Sequence, residues 1–578
     1  MKKTPTETLV FKAQPCQRRT KRERALVRAL ATSFGGLLAG TAAHAFNIDT
    51  GNPDLTVRFD NTVKASSIYR VENANSNLVD SFRLLVPGVP ASAFPQAQNF
   101  NAGNDNFRKK GIVSARVDLL SELDVVYQRS FGFRISAAAW YDDAYHHSTD
   151  AREPTNGQTP FDRFPDRTKR IAGEDAEVLD AFAFGRWDLG DGRRLSARFG
   201  RHALQYGESL FFGDNGIARA QGPIDINKLL SSPNAQFKEI IRPVPQISAQ
   251  LQLTSDLSIG GYVQLGWEAD RLPPSGSYFS TSNIPWGASQ PEFVGIPSGE
   301  LAGNHVLNRG HDDEPSDYGQ FGLQVKWRIA ETDLGFYFAR YHDKGGQLYG
   351  ALDVFNPADG RWFYVFPEAI KTAGVSASRT FGEVNVALEA SVRDDMPLRS
   401  TNMLYPSAFT GRPQFATGKT AHVNLSWLAS LGPNFLANES SFVGEIAWNR
   451  VMKVNDPDHE LDDGVTRSAT AIQFIYTPTY RQALPGLDLN VPVGLRYTLD
   501  GHSAITPWSA RGNGTATLGL EGNYLGVWQF GLTYSHYIGK AKPFVDSSPA
   551  LTGGRPKFSD GNALADRNNI ALYLRRTF

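Results

Sequence analysis

One cysteine, Cys16, stands in the 578 residues, and it falls in an N-terminal stretch that reads as an export signal. Past that stretch there is no disulfide framework, no thiolate metal site and no cysteine nucleophile. No later run reaches 18 consecutive apolar residues, which excludes a transmembrane helix. A basic excess is missing too. Without residues 1–45 the chain carries 50 Lys or Arg and 57 Asp or Glu, a net of about −7, so nucleic acid is not indicated as a partner. G-x-S-x-G is absent, and the histidines lie mainly in loops, with His422 and His536 near strand ends. That weakens one functional alternative, a lipase or esterase on a barrel wall, which would need a Ser activated by His.

What is present begins with nine basic residues, among them Lys2, Lys3, Arg18, Arg19, Lys21 and Arg28, followed by ALATSFGGLLAGTAA and Ala43-His44-Ala45. This order is that of a Sec-type signal peptide over residues 1–45, with cleavage expected after Ala45. The apolar residues that a twin-arginine signal needs after Arg18-Arg19 are replaced by Thr20, Lys21 and Arg22.

The rest of the chain alternates with period two. Ile247, Ala249, Leu251 and Leu253 interleave with Gln246, Ser248, Gln250 and Gln252; Phe321, Leu323, Val325 and Trp327 do so with Gln320, Gln324, Lys326 and Arg328. Strands are expected at 54–71, 112–126, 131–141, 179–187, 195–200, 245–254, 257–268, 318–330 and 333–342. They continue at 372–380, 383–393, 420–431, 441–452, 468–477, 489–499, 514–523, 526–537 and 568–578. Odd-numbered connections run from roughly 14 to roughly 50 residues and even-numbered ones from roughly 2 to roughly 11, the asymmetry of a barrel with long outer loops and short periplasmic turns. A soluble sandwich gives no reason for it. The fold class is all-β: a transmembrane antiparallel β-barrel of about 18 strands, within a range of 16 to 18. Aromatics near strand ends, including Tyr69, Trp140, Trp187, Trp267, Tyr341, Trp448 and Trp528, are expected to form interfacial girdles. The last strand ends on Phe578, like the signal read by the outer-membrane assembly machinery, although Arg576 stands where an aromatic residue is usual. Outer-membrane lipid and that machinery are the partners this implies.

Residues 200–253, GRHALQYGESLFFGDNGIARAQGPIDINKLLSSPNAQFKEIIRPVPQISAQLQL, resemble the signature of the domain of unknown function 1302 family of Gram-negative outer-membrane proteins. NPDLTVRFDNTVKASSIYR, LLSELDVVYQ, SAAAWYDDAY and RLPPSGSYFS extend the resemblance over nearly all of residues 46–578. The resemblance implies a barrel that works with an efflux-type inner-membrane transporter and a periplasmic partner in moving hydrophobic molecules. It supplies no catalytic, cofactor-binding or metal-binding residue.

Residues 201–244 break the alternation. Ser232-Pro233 followed by Phe237, Ile240 and Ile241 reads as a capped helical turn, and Ile226, Leu229 and Leu230 as another. This segment is expected to fold inward as a plug or constriction, where Glu208, Asp214, Asp225, Lys228, Lys238, Glu239 and Arg242 meet the polar wall. Arg58, Lys64, Arg116, Arg134, Arg198, Lys326, Arg328 and Arg393 are candidate lumen-lining bases for an anion ladder, the bland alternative being pairs with acids such as Asp60, Glu389 and Glu445. The acidic runs at Asp312-Asp313-Glu314 and Asp142-Asp143 lack metal-ligand spacing. The reading is an outer-membrane channel or transport barrel, without cofactor, for a small hydrophobic or amphipathic solute; a scaffold or adhesin barrel is a further alternative.

Overall fold

The computed structural model describes residues 46–79, 100–151, 162–283, 292–296, 303–353, 355–356, 358–400, 404–405, 415–455, 459–546, 548–549 and 556–578. Residues 1–45, with the expected signal peptide and its cleavage position, lie outside them.

Eighteen antiparallel strands close into a barrel. In chain order they are β1 Leu55–Arg70, β2 Gly111–Tyr127, β3 Phe131–Asp142, β4 Glu174–Gly190, β5 Arg193–His202, β6 Val244–Gln252, β7 Leu257–Gln264, β8 Phe321–Ile329 and β9 Thr332–Tyr341. Then come β10 Ile370–Phe381, β11 Val384–Pro397, β12 Thr417–Leu431, β13 Glu439–Val454, β14 Ser468–Leu484, β15 Val493–Asp500, β16 Gly514–Tyr524, β17 Trp528–Ile538 and β18 Asn569–Thr577. Each pairs with its sequence neighbour, and β18 closes on β1 from Thr62↔Thr577 to Arg70↔Asn569. Closure pairs the wall's backbone groups without leaving an edge, as hydrocarbon demands. All eighteen strands fall where the alternation places them. The main difference is length: β4 begins at Glu174 rather than near 179, and β14 runs on to Leu484. Leu487–Asn490 prolongs β15 beyond a break at Val491-Pro492, where proline has no N–H for the ladder.

The two faces part by chemistry. Outward residues such as Phe133, Ile135, Ile247, Val263, Leu323, Phe336, Val375, Leu388, Leu520 and Leu572 are exposed apolar side chains, the surface that lipid requires. Inward residues are polar. Two expected girdle aromatics instead turn inside. Trp140 is buried with Arg116, Lys228 and Arg271 around its ring at 5.3, 5.0 and 5.8 Å, and Tyr341 is buried in a cluster with Ala220, Ile370 and Met396. Sequence position alone cannot separate a headgroup-level tryptophan from one that faces a cluster of cations.

The long connections gather at one end of the barrel and the short turns at the other. At the loop end, Leu404–Tyr405, Gln347–Ala351, Gly360–Val365, Gly303–Arg309 and Glu292–Ile296 form a separate five-stranded sheet.

Candidate functional site

The connection between β5 and β6, residues 203–243, holds two short helices, α1 Ile226–Ser231 and α2 Phe237–Ile240. The Asp225 carboxylate caps α1 by accepting the Lys228 N–H at 2.7 Å. α2 starts after Gln236, whose N–H is taken by Glu239 at 2.8 Å, and not at Ser232-Pro233 as the sequence suggests. The reason is local: Asn234 adopts φ 50°, which no helix carries, and the Ser232 hydroxyl is spent on Lys64 at 2.6 Å.

The first half of this segment is bonded to the inner face of β11, β12 and β13. Glu445 on β13, fully buried, accepts the N–H groups of Leu210, Phe211 and Phe212 at 3.1, 2.5 and 2.9 Å, the Ser209 hydroxyl at 3.0 Å and the Asn424 amide at 2.6 Å. Successive N–H groups turned to one side make a cradle for an anion, and here the wall supplies it. Glu389 on β11 accepts the N–H groups of Glu208 at 2.6 Å and Ile217 at 2.5 Å. Arg393 donates to the carbonyls of Asp214, Asn215 and Gly216 at 3.0, 2.8 and 2.9 Å. Between them the Asn215 amide donates to Asn424 at 2.8 Å, while its oxygen meets His422 at 2.9 Å and Asn449 at 3.1 Å. The other His422 nitrogen meets Thr420 at 2.8 Å. Phe212 packs edge-on against Trp508, ring centroids 5.2 Å apart.

The second half reaches β18, β1 and β2, across the barrel from β12. Ser232 takes Lys64, Asn234 bonds to Tyr573 and offers its carbonyl to Arg575 at 3.3 Å, and Lys238 pairs with Glu122. Midway, Arg219 bridges Asp270 at 2.6 Å and Asp343 at 3.0 Å, on the connections that follow β7 and β9. Burial alone would lower the Arg219 pKa, but the two carboxylates outweigh it and raise it. Beside them, burial and then the Arg219 charge push the Lys344 ammonium down to about 7.

The remaining candidate residues fall into place individually. Lys326 approaches Glu208 at 3.6 Å and Lys228 approaches Glu177 at 3.7 Å, so both join wall and segment. Asp225 also pairs with Arg271 at 2.8 Å and Arg242 with Glu268 at 2.8 Å, on the connection after β7 rather than on the wall. Glu239 is used within its own helix. Arg116 holds Asp118 through two nitrogens at 2.9 and 2.8 Å; Arg134 spans Glu122 and Asp124; Arg58 pairs with Asp60 at 2.7 Å; Arg328 pairs with Asp333 at the turn end. Arg198 stands over the Phe182 ring at 5.6 Å. Toward the turn end the Arg58 and Lys326 side chains are 55% and 45% exposed, whereas Glu389 is 2% and Glu445 0% exposed. Of the wall partners, sequence reasoning passed over Asn424 and Asn449, named Glu445 only as a counter-charge for basic residues and His422 only as a histidine near a strand end. Among the described residues no three His, Cys, Asp or Glu side chains are grouped to hold a metal.

Solved structures with a similar fold include Acinetobacter baumannii OccAB3 (11% identity, TM-score 0.39, covering 90% of this chain and 99% of that one). Pseudomonas aeruginosa OccK9 (OpdG) is similar at 9% identity and TM-score 0.39, covering 90% and 98%. Salmonella typhi OmpF, in complex with daunomycin, is similar at 8% identity and TM-score 0.35, covering 92% and 100%. No curated protein matches the chain. A family model does, over residues 26–578, and the chain belongs to that family, the proteins of unknown function DUF1302.

Proposed function

We propose that the protein is an outer-membrane channel whose lumen is closed by residues 201–244, with the turn end facing the periplasm and a small amphipathic or hydrophobic solute as cargo. The observation that carries this reading is the span of the segment. It is tied to β11–β13 by Glu389, Glu445 and Arg393 and to β18–β2 by Lys64, Glu122 and Tyr573, nearly opposite arcs of an 18-strand wall. A barrel of this size left empty would hold a continuous water column. Efflux-type inner-membrane and periplasmic partners belong to the same proposal, as does removal of residues 1–45, which N-terminal sequencing of membrane-extracted protein checks.

Single-channel recording in planar bilayers tests it. The native barrel should show little steady conductance, and a Ser209→Cys/Asn424→Cys variant should show brief openings that a short bifunctional thiol reagent abolishes. Large, steady conductance from the native protein refutes the closed lumen.

A further inference from the structure

Most lumen bases have a counter-charge from the chain itself: Asp60 for Arg58, Asp118 for Arg116, Glu122 and Asp124 for Arg134, Glu208 for Lys326. On β4 and β5 that pattern breaks. Arg186, Arg194 and Arg198 alternate inward toward the turn end, each exposed, and among the described residues none makes an ion pair or a side-chain hydrogen bond. Arg186 lies opposite Ser196, which makes it the diagonal neighbour of both Arg194 and Arg198, at roughly 7–8 Å by strand geometry. Asp188 is opposite Arg194 yet accepts the Gly190 N–H at 3.1 Å instead of pairing.

Apolar surface adjoins these charges. Phe184 is directly opposite Arg198, and Phe182, on the same inner face, carries the Arg198 guanidinium over its ring with His202 against it at 5.5 Å. Both phenylalanines are half-buried. On the other flank β6 presents Ser248 opposite Arg198 and Gln250 opposite Ser196. Three guanidinium groups without an ion pair among the described residues, beside two rings, form a surface completed by a ligand that brings both an anion and a flat apolar body.

We propose that this patch is a binding site for small amphipathic anions, an aromatic carboxylate or sulfonate whose charged group meets Arg186, Arg194 and Arg198 and whose ring lies on Phe182 and Phe184. It deepens the channel reading by naming the solute class and rests on that reading for its purpose, but not for its detection.

Calorimetric titration of the full barrel in non-ionic detergent tests the site, with 2-naphthoate, acetate and 2-naphthylmethylammonium as probes. Naphthoate should bind, acetate far more weakly and the ammonium not at all. Arg186→Gln/Arg194→Gln/Arg198→Gln should weaken naphthoate about tenfold, and 1 M salt should do the same, since the Debye length falls to about 3 Å. Phe182→Leu/Phe184→Leu should cost about threefold for naphthoate and leave acetate unchanged. Equal binding of the anionic and cationic probes, or an unchanged affinity in a triple arginine variant that still migrates as a folded barrel, overturns the site. Bilayer recording of the Ser209→Cys/Asn424→Cys variant separates the two claims. Naphthoate binding by the native barrel with no openings in that variant upholds the site and sinks the channel, whereas openings with no naphthoate binding sink the site alone.

Discussion

Removing the Glu445 carboxylate strikes the segment where it is held by the most bonds. In Glu445→Ala five donors lose their acceptor: the N–H groups of 210, 211 and 212, the Ser209 hydroxyl and the Asn424 amide. A hydrogen bond to a charged group contributes about 1.5–3 kcal/mol, so the three backbone bonds set an upper bound near 9 kcal/mol. Water entering the vacated space restores part of this, and the carboxylate no longer has to be desolvated, which leaves a net loss of about 3 kcal/mol. That is about a 100-fold shift from the docked toward the undocked segment. Hydrogen exchange reads it directly: amides 210–212 and 217 should exchange about 100-fold faster, while amides of β2 and β3 keep their protection. Glu445→Gln should lie between the native protein and the alanine variant, because its carbonyl can still take the three backbone N–H groups while its NH2 faces the Asn424 amide. Glu521→Gln, an inward carboxyl on β16 that makes no hydrogen bond to residues 208–217 among the described residues, is the control and should leave exchange at 210–212 unchanged. Unaltered exchange at 210–212 in a folded Glu445→Ala barrel would refute the assignment of Glu445 as the segment's anchor.

Other expectations follow from neighbouring contacts. Arg393→Met leaves three carbonyls of residues 214–216 without their donor and should undock the same stretch by about 3–5 kcal/mol, visible as faster exchange at Gly216 and Ile217. Gly207 sits at φ 92° with Glu389 against the place a Cβ would occupy, so Gly207→Ala should raise open-channel frequency in bilayers while the barrel's unfolding temperature stays within a few degrees. His502, on the connection after β15, donates from Nδ1 to the Gly464 carbonyl at 2.8 Å and accepts the Arg399 guanidinium at Nε2 at 2.9 Å, so it is neutral in place. Burial, then Arg399, lower its pKa to about 4, and the Gly464 carbonyl and then Asp560 only partly oppose them. Because the folded value lies below the unfolded one of about 6.5, this anchorage is complete above pH 6.5 and weakens as pH falls toward 4. Proteolysis between residues 501 and 513 should therefore accelerate over that window and His502→Gln should flatten the profile; a native protein indifferent to pH from 7 to 4 contradicts the argument.

The wall was legible because lipid and water impose opposite demands on alternate residues, and QISAQLQL or NIALYLRRT records both. The site was legible only as a place where that record stops, at residues 201–244. Its partners were not. Glu445 occupies an ordinary polar slot in SFVGEIAWN, and nothing in that spacing says whether the slot faces water or a cradle of N–H groups contributed more than 200 residues away in sequence. Trp140 misled for the same reason, since period two fixes which face a residue shares but not what fills the space before it. Arg186 and Arg194 escaped notice because an unpaired arginine and a paired one look alike until the neighbouring strand is in register.

His202 and Val244, the last wall residues before and after the segment, lie side by side as ladder partners on β5 and β6. Whatever the residues between them do, both ends of that stretch stay stitched to one seam of the barrel. On the proposed reading the stretch acts as a flap sewn along one edge, tethered where a cork would be free. Each opening would then keep its own means of closing, and reclosure should be first order, independent of protein concentration.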